Sequence, residues 1–383
     1  MNNMTNMSFD PNIHAELVYD GGDVVHVPSR LGMPAANQLQ GTQLEQLAEL
    51  AGRVCYDSLG RGRSSEEYHT HIREVNHLSV YEHCVVTVHI APPSIEVPIY
   101  QLLSLFNRPG IHVRYFDGAL RLTLNLRAAL EFASRPGACT SMGDLDTVRA
   151  SVLAAIAGHA PMVVGSEQYG SSWVSNVTNP HEPEEKWITL LLCGSRGMSH
   201  ELVRHGDSTA ISQRSTRYVD EAKSPWVQHP VETAWWKWLR PIAPRNFPSW
   251  YRALDTSIGT STDGQGNPSY NVLEAVEAYA ARVDVLEPFL ANVAHVDKLT
   301  ARKQARGAAR GFLGNALYTE LIFSASVTQW RHMLRMRCSD HADAEIRVLF
   351  ARALGELKRS RYGTSFQDMT LRPATDGIGE VLA

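Results

Sequence analysis

ELVRHGDSTAISQRSTRY, residues 201–218, places four Arg or His side chains and five Ser or Thr hydroxyls within 18 positions. Guanidinium and hydroxyl groups together suit phosphate and planar imide or carboxylate groups, because Arg offers a rigid fork of donors. His200-Glu201 and His205 invite comparison with a zinc protease, but the spacing excludes it. A zincin helix needs its two His at i and i+4. Here they are five apart, about 140° around a 3.6-residue helix. The stretch therefore predicts an anion site, and no metal site is expected. Which anion, and which fold presents it, depends on the rest of the chain.

A chain of 383 residues can bury one large core or two ordinary ones. Apolar residues make up 44% and charged residues 20%, an ordinary globular balance. The formal net charge of -4 gives no reason to expect nucleic acid or an acidic membrane as a partner. No apolar run approaches the roughly 18 residues of a membrane span. The opening MNNMTNMSFDPN lacks a basic region followed by an apolar one, so no secretory signal is expected. Five scattered cysteines (Cys55, Cys84, Cys139, Cys193, Cys338) form no CxxC pair. They argue against structural zinc or a disulfide framework and predict a reducing, cytoplasmic setting.

Residues 1–40 carry little periodicity and are expected to form an arm. Thr42-Gln-Leu-Glu45 has capping-box form, and Leu44, Leu47, Ala51 and Val54 follow at helical spacing. A second helix is predicted over 65–77. CVVTVHI (84–90) and WITLLLC (187–193) read as strands. About ninety residues lie between them, with Pro-rich edges APPSIEVP and NPHEPEE, and read as an insertion. GTSTDGQGNPS (259–269) is a loop. Trp235, Trp236 and Trp238 fit a core better than a base-stacking platform, given their large apolar area.

ARKQARGAARGFLGNALYTE (301–320) is the second informative region. Arg302, Arg306 and Arg310 fall at i, i+4 and i+8, one stripe on a helix. WRHMLRMRCSDHADAEIR follows with Arg331, Arg335, Arg337 and Arg347. Between 301 and 360 there are 11 Lys or Arg against 5 Asp or Glu, in a chain that is acidic overall. A bare Arg stripe is most simply a solvated helix face. Two Arg-rich regions, one also rich in hydroxyls, point instead to a shared anionic ligand.

These blocks resemble the flavin-dependent thymidylate synthases. AGRVCYDS (51–58) and HLSVYEH (77–83) are similar to the family's amino-terminal helix and its H-x-S-V-x-E-H turn. SHELVRH followed by ISQRSTRY is similar to its signature, usually R-H-R, a short spacer, then S-x-R-Y. ARKQARGAARGFL, WRHMLRMR and SDHADAEIR are similar to its carboxy-terminal dUMP-binding helices. The likeness covers roughly half of the chain, in family order, and leaves the insertion and 220–300 poorly matched.

The resemblance implies an α/β (α+β) fold with a twisted, mostly antiparallel sheet flanked by long helices. CVVTVHI and WITLLLC would both be strands of that sheet, with the insertion as an added helical lobe. It divides the chain into an arm (1–40), an amino-terminal synthase-like part (41–90) and the insertion (91–186). A carboxy-terminal part (187–365) and a tail (366–383) follow. The implied reaction is reductive methylation of dUMP to dTMP, with methylenetetrahydrofolate as carbon donor and FAD reduced by NADPH. No enzymic nucleophile attacks the pyrimidine, so the protein must make C5 of uracil nucleophilic electrostatically. Arg337 matches the arginine set against the pyrimidine edge. Arg310, Arg217, Ser215 and Gln213 match dUMP contacts, and Glu201 and Arg204 match groups near nucleotide and flavin. Ser215 has no His-Asp partner at a recognisable spacing, so binding suits it better than nucleophilic attack. Ser79, Arg204 and His205 match flavin contacts. The family's oligomeric habit implies a tetramer.

The departures concern the flavin. Gly206 stands where R-H-R has its second arginine, and the spacer to Ser215 is one residue longer than usual. Ser326 and Thr328 occupy the places of the family's flavin-contacting Asn-x-Arg, and Leu313-Gly314 those of Leu-Pro. The insertion contains LTLNLRAALEF, whose Asn125-Leu-Arg127 resembles the missing block. Residues 91–165 then read either as a partial repeat of the carboxy-terminal half or as an amphipathic helix with a coincidental NLR. A repeat would make the chain a fused pseudo-dimer, with Asn125 and Arg127 as flavin contacts and the assembly reduced to a dimer. Two competing readings remain open from sequence. One is a uridylate C5-hydroxymethylase, in which water rather than hydride quenches the intermediate; the other is an inactive nucleotide-binding scaffold.

Overall fold

The computed structural model describes residues 9–31, 39–90, 110–116, 119–134, 150, 152–164, 174–176, 180–206, 208–234, 270–292, 297–310 and 313–383. In chain order the strands are β1 (His14–Tyr19), β2 (Val85–Ile90), β3 (Ile111–Phe116), β4 (Ala119–Asn125) and β5 (Val174–Asn176). Then come β6 (Trp187–Ser195), β7 (Thr209–Gln213), β8 (Tyr318–Ser326), β9 (Leu371–Pro373) and β10 (Glu380–Leu382). The main helices are α1 (Gln43–Tyr56), α2 (Ser65–Glu74), α3 (Leu126–Ser134) and α4 (Arg196–Leu202). They continue with α5 (Tyr270–Asn292), α6 (Lys298–Ala309), α7 (Val327–Arg337) and α8 (Ala344–Arg359).

The first sheet has the order β1-β6-β8-β7 and is antiparallel throughout. β6 is buried along all but its first, second-layer position, as a near-continuous apolar run requires. Trp330 anchors α7 to this sheet, packing on Phe323 and Phe350 while its Nε1–H donates to the Ile188 carbonyl. α8 lays Ile346, Leu349, Phe350, Ala353, Leu354 and Leu357 against the same core, all 1% exposed or less. At the other end α1 starts at the expected capping box, with Thr42 and Glu45 each bonded to the other's backbone N–H. Its Leu44, Leu47, Ala51 and Val54 are buried as the periodicity predicts.

The second sheet, of order β3-β4-β2-β5, is also antiparallel. Here the structure corrects the sequence reading twice. CVVTVHI is a strand, but it pairs with β4 and β5 rather than with WITLLLC. The described part of 91–186 supplies three strands around α3, not a helical lobe. Hydrogen bonding across strands distant in sequence decides sheet membership, and local apolar patterning cannot report it.

Two terminal segments also differ from expectation. The presumed arm contains β1, an edge strand whose Val18, like Ile13 just before the strand, is fully buried. The presumed tail forms the β9–β10 hairpin, with Val381 buried and Leu382 N–H donating to the Cys338 carbonyl. The predicted second helix ends at Glu74. Trp235, Trp236, Trp238 and the 259–269 loop lie outside the described residues. Among the described residues no helix is long and apolar enough to cross a membrane.

Candidate active site

Two strand-to-helix junctions of the first sheet position the central groups. At the β6–α4 junction Ser195 caps the helix by accepting from Met198 N–H, as a short hydroxyl side chain does well. Glu345, at the start of α8, accepts from both the N–H and the Oγ–H of Ser195 at 2.6 Å. Burial raises the pKa of Glu345, and these two donors oppose the rise. At the β8–α7 junction Ser326 caps in the same way, accepting from Gln329 N–H. α4 thus presents Glu201 near its carboxy terminus, and α7 presents Arg337 as its last residue.

These two residues meet. Arg337 Nη1 donates to Glu201 Oε2 at 2.5 Å, its Nη2 to the Glu201 carbonyl at 3.0 Å, and its Nε to His205 Nε2 at 3.0 Å. The side chain is only 13% exposed. His205 must be neutral to accept at Nε2. Burial lowers its pKa, and the nearby charge of Arg337 and then His332 lower it further. Guanidinium has five N–H groups. Three are used here, so two remain without a partner among the described residues. His205, expected beside the flavin, accepts from Arg337 Nε in the structure.

The other sequence-derived residues divide into anchored and loose. Gln213 turns inward, its Nε2 donating to Ser199 Oγ and Thr319 Oγ1. Ser215 sits in a turn where its N–H reaches the Cys55 carbonyl and its Oγ accepts from Arg217 N–H. Arg204, Arg217 and Arg310 are exposed, and their side chains make no hydrogen bond or ion pair with a described residue. Arg310 ends α6 near Arg196; burial depresses the Arg196 pKa, Glu221 opposes this, and the like charge of Arg310 adds to it. In the stripe, Arg302 pairs with Glu287, while Arg306 reaches the Tyr218 carbonyl and Asp220. The stripe is thus partly the solvated face of the simpler reading.

The 77–83 turn joins the two sheets. His83 is fully buried between Ser212 Oγ of β7 (2.9 Å) and Ser324 Oγ of β8 (2.8 Å). Burial pushes its pKa down to about 3. Ser324 also bonds Thr189 at 2.6 Å. Sequence reading matched this histidine to a family turn but gave it no partner, since both lie more than a hundred residues away. Ser79 is half-buried. Glu82, which the sequence did not single out, pairs with Arg127 Nη1 at 2.5 Å.

That pair opens onto a cleft of about 640 Å³ between the sheets. Asn125, Arg127, Glu131 and His112 line one side, and Glu184, Trp187, Gly206 and Ser326 the other. Asn125 and Arg127 therefore face the same space as Gly206 and Ser326, where the resemblance misses its flavin contacts. Thr328 is not free to substitute for an arginine, since its hydroxyl donates to Glu184 Oε1 at 3.1 Å.

His229, Asp343 and Glu345 also gather donor atoms within 4.8 Å. His229 Nδ1 accepts from Val231 N–H, so Nε2 carries the proton that points at both Asp343 oxygens, 3.2 Å away. In that tautomer the remaining lone pair, on Nδ1, is engaged by the Val231 N–H.

Residues 182–360 match the family described as "Thymidylate synthase complementing protein". A flavin-dependent thymidylate synthase of Mycobacteroides abscessus is 33% identical over 197 residues, covering 50% of this chain and 67% of that protein. One of Corynebacterium diphtheriae is 32% identical over 195 residues, covering 51% of this chain and 66% of that protein. The chain thus spans about two thirds of the length of these relatives. A Helicobacter pylori flavin-dependent thymidylate synthase, crystallised with FAD and dUMP, covers 60% of this chain and 86% of its own. It is 15% identical with a TM-score of 0.27, too loose a superposition for either chain to stand for the other.

Proposed function

The chain belongs to the flavin-dependent thymidylate synthase family, and from that premise we propose that it converts dUMP to dTMP. Methylenetetrahydrofolate is the carbon donor and NADPH the reductant in this reading. FAD, when bound, supplies the hydride. The observation that carries the reading is Arg337, largely buried, held on three sides, with two N–H groups left over.

A uracil ring set against those two donors would be polarised at its N3 and O4 edge. Negative charge developing there on attack by C5 meets donors that need no reorganisation, which is where an enzyme gains most. Glu201 and the neutral His205 fix the plane of the guanidinium. Arg217, Arg310 and Arg204, exposed and unpaired among the described residues, are available to the phosphate, with Ser215 beside Arg217. Gln213 acts by tying β7 to α4. For FAD the residues that fit are Asn125 and Arg127, with Ser79 on the turn behind them. The protein works in this proposal as a cytoplasmic homo-oligomer.

The test is single-turnover conversion of dUMP with methylenetetrahydrofolate and reduced flavin, the product identified by mass. Formation of dTMP supports the proposal. A 5-hydroxymethyl product replaces it with the hydroxymethylase reading, which fits weakened flavin contacts where Ser326 and Thr328 stand in place of Asn-x-Arg. Tight dUMP binding without any turnover replaces it with a scaffold.

A further inference from the structure

The two sheets repeat each other residue for residue. Their orders, β5-β2-β4-β3 and β1-β6-β8-β7, correspond strand by strand. Val85 faces Asn125 across β2 and β4, as Trp187 faces Ser326 across β6 and β8. Ile111 faces Leu124 as Thr209 faces Ala325. Val88 faces Asn176 as Leu190 faces Leu17.

The match extends beyond pairing. Leu126 N–H donates to the Cys84 carbonyl (2.9 Å), and Val327 N–H to that of Lys186 (2.8 Å). Asn125 Oδ1 caps α3 by accepting from Ala128 N–H, as Ser326 Oγ caps α7. Gly110 before β3 has φ 80°, and Ser208 before β7 has φ 54°. A left-handed serine is strained because of its Cβ, an odd choice unless the position is inherited. Glu82 meets Arg127 as Glu184 meets Thr328.

The cleft is lined by these equivalents in pairs: Glu82 with Glu184, Val85 with Trp187, Gly110 with Ser208, Ile111 with Thr209, Asn125 with Ser326. It therefore lies on the axis relating the two units. Each unit's leading strand has also changed sides. β1 precedes the first unit yet pairs with β6 of the second; β5 precedes the second yet pairs with β2 of the first.

We infer that the chain is a tandem duplicate with exchanged leading strands, whose axial cleft holds one planar heteroaromatic cofactor ring per chain, gripped by the first unit. This deepens the proposed function and rests on it. The two halves of the cleft have diverged in what they offer. Ser326 and Thr328 spend their hydroxyls on the helix cap and on Glu184. Asn125 caps with Oδ1, its Nδ2 has no partner among the described residues, and the bare Cα of Gly110 makes the room; a Cβ there would lie 2.4 Å from Nδ2. Arg127 gives Nη1 to Glu82 and Nε to Glu131, and its Nη2 has no partner among the described residues. With two carboxylates neutralising it, Arg127 serves as a directed donor to ring carbonyl or ring nitrogen acceptors more than as a phosphate cation. A cleft of this size suits one such ring system.

The experiment is flavin and dUMP titration of the full chain by calorimetry, with bound flavin counted per chain from its visible absorbance. One flavin per chain is expected. Asn125→Ser, which keeps a capping residue, should weaken flavin at least severalfold, and Asn125→Ser with Arg127→Thr at least tenfold. In both, dUMP affinity should stay within twofold, and thermal unfolding reports whether the fold is intact. Two flavins per chain, no flavin, or flavin affinity indifferent to Asn125→Ser would each overturn the inference. Loss of dUMP binding in the wild type would instead remove the proposed function itself.

Discussion

Arg337 and Arg217 both come from the uridylate signature blocks, yet the structure treats them in opposite ways. Arg337 is 13% exposed on its side chain and tied to Glu201 and His205 by three hydrogen bonds. Arg217 is exposed and its guanidinium bonds to no described residue. A fixed guanidinium loses little freedom when charge develops beside it, so its contribution falls on the transition state. A loose one must be ordered by the ligand, so its contribution falls on binding and is reduced by the lost side-chain entropy. In the proposed reaction the fold would thus separate holding a nucleotide from activating it.

The sharpest way to break this contrast is Arg337→Lys. The charge stays but the planar fork goes, so turnover should fall by roughly 100-fold while the dUMP dissociation constant moves only a few fold. Single-turnover kinetics beside calorimetry measure both; unchanged turnover would remove Arg337 from the chemistry. Arg217→Ala should do the reverse. Losing a charge-assisted donor to phosphate costs about 1.5–3 kcal/mol, so dUMP should bind at least tenfold more weakly, with the saturated rate nearly kept. An unchanged affinity would place the phosphate elsewhere.

Acid should act on the fixed arginine. The folded pKa of His205 lies below 6.5, chiefly through burial, then through Arg337 and His332. Above that pKa the imidazole is neutral and accepts from Arg337; as pH falls through it, the bond is lost and two cations face each other. Turnover of the saturated enzyme should therefore show an acid limb below neutrality, which His205→Asn flattens. The stability term has the same sign. The unfolded chain takes up this proton first, near 6.5, so stability declines as pH drops below that value and levels off beneath the folded pKa. His83 adds a longer decline, between 6.5 and about 3, with a slope of up to ~1.4 kcal/mol per pH unit. The smallest effect is that of salt. Raising ionic strength from 0.1 to 1 M shortens the screening length from about 10 to 3 Å. It should weaken dUMP binding severalfold through the exposed arginines and leave the single-turnover rate within about twofold.

The legible parts of this molecule were local. Thr42 and Glu45 announced α1, the apolar run 187–193 announced β6, and family-like blocks singled out Arg337, Glu201 and Arg217. What stayed hidden was pairing over distance. CVVTVHI reads alike whether its neighbour is β4 or β6, since alternation names a face and not a partner. The family-like block marks His205 only as a flavin-side residue, and its bond to Arg337, a residue 132 positions on, is visible only in the fold. Glu345 was quoted inside a motif without a role, and only the fold brings it under Ser195 to hold the start of α4.

The exchanged strands set a timetable for the ribosome. β1 ends at Tyr19 and its partner begins at Trp187, roughly 170 residues later. At ~5–20 residues per second of synthesis, the first strand waits on the order of 10–30 s for a mate. Meanwhile β2, which belongs to the other sheet, emerges first and presents an edge of similar apolar character. A nascent chain halted before β6 would hold one finished edge too many, open to pairing with another chain. Slow codons or chaperone occupancy between the two halves would change the yield of this protein without touching any residue of its site.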